Sequence, residues 1–209
     1  MDNIIHKIIR TIVFIVIIII LRILLPNFKS VFNLIKLKLK LAYRLNLDKS
    51  KQELTVWEDL IKLHKSENWN YTIHEKSYCL ESIIPINENT FNRFFYMIYG
   101  NKFHSSVKLL YDYPDEIATE IFILAMHINN VLNDGIISIN TERNYVEYTK
   151  KETILTTLLV PNQLRNQIVL HYEASVKMQW AFDELLKRKE EPLIVFAEFM
   201  RRIEPQEKD

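Results

Sequence analysis

Residues 91–111 read F-N-R-F-F-Y-M-I-Y-G-N-K-F-H-S-S-V-K-L-L-Y. Phe91–Tyr99 is an aromatic-rich run, Phe103–Tyr111 is a second extended run, and Gly100-Asn101 separates them. Glycine tolerates the positive φ that a tight hairpin requires, so the stretch predicts strands near 92–99 and 102–111 joined by a short turn. The flanking sequence extends this hairpin in both directions.

On the amino-terminal side, Trp69, Tyr71 and Ile73 alternate with polar neighbours, as do Tyr78, Leu80, Ser82, Ile84 and Ile86. Such alternation marks strands with one wet face, here near 70–75 and 78–86. Before them, Ser50 and Glu53 have the S-x-x-E spacing of a capping box. Leu54, Trp57, Leu60, Ile61 and His64 then recur at helical spacing, which predicts a helix at about 50–66.

On the carboxyl-terminal side, Pro114-Asp115-Glu116 opens a helix, since proline suits the first turn and acids suit its positive dipole end. Ile117, Ile121, Leu124, Ala125, Ile128 and Leu132 form its apolar stripe, and Asn133-Asp134-Gly135 closes it with glycine as a left-handed cap. Ile136–Ile139 and Tyr145–Leu158 read as strands around the polar turn T-E-R-N. A long helix runs from Pro161-Asn162 to Lys189, and L-I-V-F-A-E-F-M-R-R forms a last short one after Glu191-Pro192.

The expected fold class is therefore α+β. It is a two-layer sandwich of an antiparallel sheet with helices packed on one face, in the order α-β(3–4)-α-β-β-α, preceded by an amino-terminal hydrophobic helix. The domain reading is an anchor at 1–26, a basic amphipathic segment at 27–49, the α+β domain at 50–203 and a polar tail at 204–209.

The succession of elements over about 50–190, above all D-Y-P-D-E-I (112–117), A-M-H-I-N-N-V-L-N (125–133) and P-N-Q-L-R-N-Q-I-V (161–169), resembles the YbjN-like family. That family shares the fold of type III secretion chaperones. The resemblance implies a domain without catalytic residues. In the chaperones a dimer holds a partner polypeptide in extended form along apolar grooves and sheet edges.

The amino terminus decides where such a domain works. Thr11–Leu25, T-I-V-F-I-V-I-I-I-I-L-R-I-L-L, spans only about 22 Å as a helix, but extension back to Ile4 reaches about 33 Å, enough for a bilayer core. Lys7, Arg10 and Arg22 lie near its ends, where basic side chains reach headgroups. A cleaved signal peptide needs small residues after the apolar run, and L-R-I-L-L-P-N-F supplies none. A buried or oligomerising soluble helix needs a polar face that polyisoleucine lacks. The reading adopted is a single-pass signal anchor.

After Pro26, V-F-N-L-I-K-L-K-L-K-L-A-Y-R-L alternates like a strand over Ile35–Leu41. At 100° per residue, however, Lys29, Lys36, Lys40 and Arg44 gather on one side, opposite Val31, Leu34, Leu37, Leu41 and Leu45, with Lys38 the misfit. That predicts a basic amphipathic helix in the membrane interface; a plain linker helix packing on the domain is the alternative. The excess of Lys and Arg after the anchor places the carboxyl-terminal domain on the cytoplasmic side.

Charge is split along the chain. Residues 1–51 carry 10 Lys/Arg against 2 Asp/Glu, and residues 52–209 carry 17 against 24. An acidic body argues against a nucleic-acid partner, which needs a clustered positive surface. Two glycines exclude a phosphate-cradling glycine loop, and a single cysteine, Cys79, excludes an intrachain disulfide and a thiolate metal cluster. No cofactor is implied.

Candidate chemistry is sparse. His74 and Cys79 are five residues apart on neighbouring strands, but no orienting group or oxyanion donor accompanies them, and a buried cysteine is the ordinary case. His127 and His171 lack a zinc-ligand pattern. Asp112, Asp115, Glu116 and Glu120 cluster at a helix start, where dipole complementation accounts for them. Phe91–Tyr99 is read as a core strand rather than a base-stacking one, because the neighbouring charge is low.

The functional expectation is a membrane-anchored, non-enzymatic module that binds another polypeptide as an adaptor, chaperone or regulator. Its contacts are placed on the β-run, with Phe94, Tyr96 and Ile98 on one face and Phe95 and Met97 on the other, the covered face being undetermined. The alternatives are an unfamiliar enzyme acting on a membrane-associated substrate, and a structural domain that dimerises with a second copy of the chain.

Overall fold

The computed structural model describes residues 12–19, 28–74, 78–87, 90–159, 162–188 and 191–203. The chain divides into two compact units, Met1–Asn46 and Leu47–Asp209. In the first, residues 12–19 are helical (α1), and Phe28–Leu45 form an 18-residue helix (α2). The period-two pattern at Ile35–Leu41 thus yields to the helical one. Val31, Phe32, Leu34, Ile35 and Leu37 of α2 are all exposed, as are Lys36 and Lys40. The anchor expected from Ile4 to Leu25 lies outside the described residues except at 12–19, as do Pro26 and the tail at 204–209. Among the described residues, no helix is long and apolar enough to cross a membrane.

The second unit is an α+β fold. In chain order it comprises α3 (Lys49–Ser66), β1 (Asn70–His74), β2 (Cys79–Asn87), β3 (Thr90–Tyr99), β4 (Lys102–Leu110), a 3-10 turn (Asp115–Ile117) and α4 (Ala118–Val131). Then come β5 (Ile136–Asn140), β6 (Tyr145–Thr153), α5 (Ile154–Leu159), α6 (Gln163–Arg188) and α7 (Pro192–Ile203). The six strands form one antiparallel sheet in the order β1-β2-β3-β4-β6-β5.

The turn in residues 91–111 organises the sheet. Gly100 and Asn101 have φ of +59° and +61°, the two positive values of a type I′ hairpin, and Tyr99 faces Lys102 as the closing pair. The tip is held from both sides: Asn101 N–H donates to Glu53 Oε1 of α3 at 2.6 Å, and its carbonyl accepts from Ile154 N of α5 at 3.2 Å.

Alternation along β3 then assigns the two faces. Phe94 and Tyr96 are fully buried and Ile98 nearly so, in one core cluster with Trp57 and Leu60 of α3, Leu124 of α4 and Ile168 and Phe182 of α6. Burying each large side chain of this kind contributes about 1.5–3 kcal/mol. Phe94 packs edge-on against His171 of α6 (ring centroids 5.6 Å apart), and Tyr96 against His64 of α3 (5.7 Å). Asn92 on the same face donates to Gln179 Oε1 of α6 at 2.7 Å. The helices therefore lie on this side of the sheet. α7 packs on α4 and α6, seating Val195 and Phe199 in the same core.

Several local expectations change. The α3 cap is Asp48, whose side chain accepts from Lys51 N at 2.9 Å, while Ser50 Oγ donates to Asp48. Glu53 is used at the hairpin tip instead of in a capping box. The strand expected over Tyr145–Leu158 ends at Thr153, the partner of Lys102. Beyond the tip β4 offers no further ladder, so the backbone of 154–159 satisfies itself as α5. α4 ends with Leu132 as an extended cap, so Gly135 is not its left-handed cap. Gly135 has φ +82° in the turn into β5, where an added Cβ would lie 2.5 Å from Tyr148 Cε2. A bulge between Lys108 and Leu110 turns both Leu109 and Leu110 into the core, which breaks the alternation of V-K-L-L.

Candidate functional site

The face of the sheet opposite the helices is the candidate site. One row crosses all six strands: Thr72, Glu81, Phe95, Ser106, Thr149 and Ile136 are successive Cα partners from β1 to β5. The next row is His74, Cys79, Met97, His104 and Lys151. Phe91, Arg93 and Tyr99 share the face by alternation along β3. Phe91, Tyr99 and Ile136 are 59%, 54% and 57% exposed; Phe95 and Met97 are half-buried between their neighbours.

This placement divides the five β3 residues expected to make contacts. Phe94 and Tyr96 are fully buried beneath α3 and α6, and Ile98 is nearly so at the wall of a hollow beside α3, which corrects the assignment of these three as contact residues on an open face. Phe95 and Met97 lie on the uncovered side. Lys36, Lys40 and Arg44 belong to α2 in the other unit; Lys29 lies in the same helix.

Ion pairs structure the uncovered face. Glu81 accepts from Arg93 Nη1 at 3.2 Å and faces His74 Nε2 at 3.2 Å. Lys108 Nζ lies 4.2 Å from the Tyr145 ring centroid and 5.4 Å from that of Tyr111. The Tyr99 ring stacks on His104 at 4.0 Å with the planes 8° apart. His104 is only 6% exposed. Burial, ahead of Lys151 and Lys102, lowers its pKa against a hydrogen bond with the Tyr99 backbone.

His74 and Cys79 are indeed cross-strand neighbours. Burial and the Glu81 charge push the Cys79 thiol up, the opposite of what a thiolate nucleophile needs. His171 is packed between Phe94 and Tyr148, and burial pushes it down to about 3. His127 packs on Phe196. Asp115 and Glu116 occupy the 3-10 turn and Glu120 the first turn of α4, in keeping with the dipole reading. Among the described residues, no three His, Cys, Asp or Glu side chains converge as a metal site.

A polar seam under α6 was not visible in the sequence. Lys150 of β6, with a 12% exposed side chain, bridges Asp134 (2.7 Å) and Glu152 (2.6 Å). Gln167 Nε2 donates to the other oxygen of Glu152, and Thr157 Oγ1 donates to Gln167 Oε1 at 3.1 Å. Burial opposes the Lys150 charge, but the hydrogen bonds with Asp134 and Glu152 prevail and raise its pKa. Its only sequence signal is polar residues at i and i+4, Gln167 and His171, on the apolar stripe of α6.

Two hollows lie elsewhere. One of about 350 Å³ is lined by Ser50, Glu53, Leu54, Trp57, Tyr78 and Ile98, beside the start of α3. A shallower one of about 610 Å³ between α6 and α7 is lined by Trp180, Lys177, Glu198, Arg201 and Arg202. Neither of these two contains the Lys150 seam.

No protein-family model matches the chain, and no curated protein matches it.

Proposed function

We propose that this chain is a membrane-anchored, non-enzymatic module that binds another polypeptide on the uncovered side of its sheet. The observation that carries this reading is the one-sided coverage. Among the described residues, the helix–sheet ring contacts run through the face of Phe94 and Tyr96, and the opposite face presents Phe91, Phe95, Met97, Tyr99 and Ile136. A patch of aromatic and aliphatic groups rimmed by ion pairs suits a protein partner.

The edge strands refine where the partner lies. Asn129 of α4 donates to the Ile137 carbonyl at 2.9 Å and accepts from Ile137 N at 2.8 Å. A side-chain amide thus occupies the outer hydrogen-bonding groups of β5 at that residue, as a neighbouring strand would. Strand addition is blocked there, which favours the face itself and the β1 edge.

The resemblance to the YbjN-like and secretion-chaperone fold agrees with an adaptor, chaperone or regulatory role. The apolar amino terminus and the exposed basic helix α2 support attachment to an anionic membrane, with the α+β domain in the cytoplasm. The test uses the full chain in its membrane. Carbonate and high-salt washing should leave it in the pellet. Crosslinking from the Phe91 and Ile136 positions on the same face should capture a polypeptide that Phe95→Ser/Met97→Ser loses. Release into the supernatant sinks the anchor, and crosslinks only between copies of the chain sink the binding role in favour of a dimer.

A further inference from the structure

The uncovered face differs in charge from the domain that carries it. Residues 52–209 hold 17 basic against 24 acidic residues, yet this face shows Arg93, Lys102, Lys108 and Lys151 against Glu81 and Glu147. Arg93 is paired with Glu81, and Lys108 lies over two tyrosine rings as the register partner of Glu147. Lys102 and Lys151 pair with no carboxylate among the described residues. Both are exposed, and both flank His104: Lys151 is its cross-strand partner, and Lys102 precedes it by two residues on the same face.

His104 is more than nine-tenths buried, and its Nε2 has no hydrogen-bond partner. An unpartnered buried ring nitrogen between two uncompensated ammonium groups is costly in an isolated domain. A carboxylate placed there would neutralise the lysines and favour a proton on the imidazole. Immediately beside it lie Met97, the other cross-strand partner of His104, and Phe95 two residues along. The apolar residues thus line β3 while the basic ones stand on β4 and β6 beside it, so an apolar column and an anion-accepting column run side by side within reach of one extended chain.

Building on the polypeptide-binding reading above, we propose that the partner is an acidic segment. Its carboxylates sit at Lys102 and Lys151 beside His104, and its apolar side chains lie on Phe95, Met97 and Tyr99. A nucleic acid fits less well. Phe91, Phe95 and Tyr99 are four residues apart, roughly 13 Å at strand rise, too far for adjoining bases to stack on successive rings. Glu81 and Glu147 also interrupt any continuous phosphate path on the same face.

The test is fluorescence anisotropy on the full chain in neutral detergent. The probes are labelled twelve-residue peptides of alternating glutamate and leucine, alternating glutamine and leucine, and a twelve-nucleotide oligouridine. The glutamate peptide should bind at least tenfold tighter than the glutamine peptide. Lys102→Glu/Lys151→Glu should erase that difference without lowering the melting temperature, and Lys102→Gln/Lys151→Gln should reduce it in the same direction. Equal binding of the two peptides, unaffected by either double variant, overturns the acidic partner while leaving polypeptide binding intact. Binding of neither peptide overturns both readings. Tighter binding of oligouridine than of the glutamate peptide overturns the proposal in favour of nucleic acid.

Discussion

Phe94 and Phe95 are chemically identical neighbours on one strand, and the two sides of the sheet should separate their energetics. Phe94 is fully buried, stacked near Tyr96 (ring centroids 6.4 Å), edge-on to His171 (5.6 Å) and tilted against Tyr172 (6.0 Å). Truncation to alanine removes the transfer term of the ring and leaves a cavity between β3 and α6, at a cost of about 3–5 kcal/mol. Phe95 is half-buried on the face opposite α3 and α6, so Phe95→Ala should cost about 1 kcal/mol. For a unit of this size 1 kcal/mol corresponds to about 2–4 °C in melting temperature. Phe94→Ala should therefore lower the midpoint by about 6–20 °C and Phe95→Ala by about 2–4 °C. Thermal unfolding of the two variants, followed by far-ultraviolet circular dichroism, reads the difference directly. Equal losses, or the larger loss at Phe95, would refute the assignment of covered and uncovered faces, and with it the site.

Other consequences are as direct. Gly135→Ala must hold a left-handed φ and push its Cβ toward Tyr148 Cε2 and the Thr149 carbonyl, so urea unfolding should show a loss of about 2–4 kcal/mol; a loss below about 0.5 would contradict the turn geometry. His171 is held neutral by burial, with its pKa down at about 3, so below about pH 6.5 the unfolded chain binds a proton that the native state refuses. Its share of stability is complete above that pH and falls by about 1.4 kcal/mol per unit as pH drops toward 3. Between pH 6.5 and 5, His171→Phe should lose about 2 kcal/mol less than the parent in urea titrations, and parallel pH profiles would exclude this role. A peptide of residues 28–45 should gain helix on vesicles containing anionic lipid and not on neutral ones. Lys36→Glu/Lys40→Glu/Arg44→Glu should weaken that binding by more than a hundredfold, at about 1 kcal/mol for each basic residue lost.

Local pattern carried much of the fold. Gly100-Asn101 between two extended runs became a two-residue turn with both φ values positive, because few other residue pairs take that geometry cheaply. The stripe at Ile121, Leu124, Ala125 and Ile128 became the buried face of α4, since helical periodicity is a property of nearby residues. Where sequence reading failed, a distant partner had intervened. Glu53 has the spacing of a capping box but is taken by the hairpin tip, 48 residues away. Residues 154–158 have strand-like side chains but no ladder left to join. His104, Lys102 and Lys151 carry no motif and meet only because β4 pairs with β6.

The sequence by itself determined the α+β class, the order of elements apart from α5, the basic helix after Pro26 and the charge split between head and body. These follow from composition and from spacings within a few residues. Tertiary structure alone decided which side of the sheet the helices cover, and so turned Phe94, Tyr96 and Ile98 into core and left Phe95 and Met97 facing outward. The reason is symmetry: a strand with large apolar residues on both sides reads the same from either face. Only packing against α3 and α6, distant in sequence, breaks that equivalence.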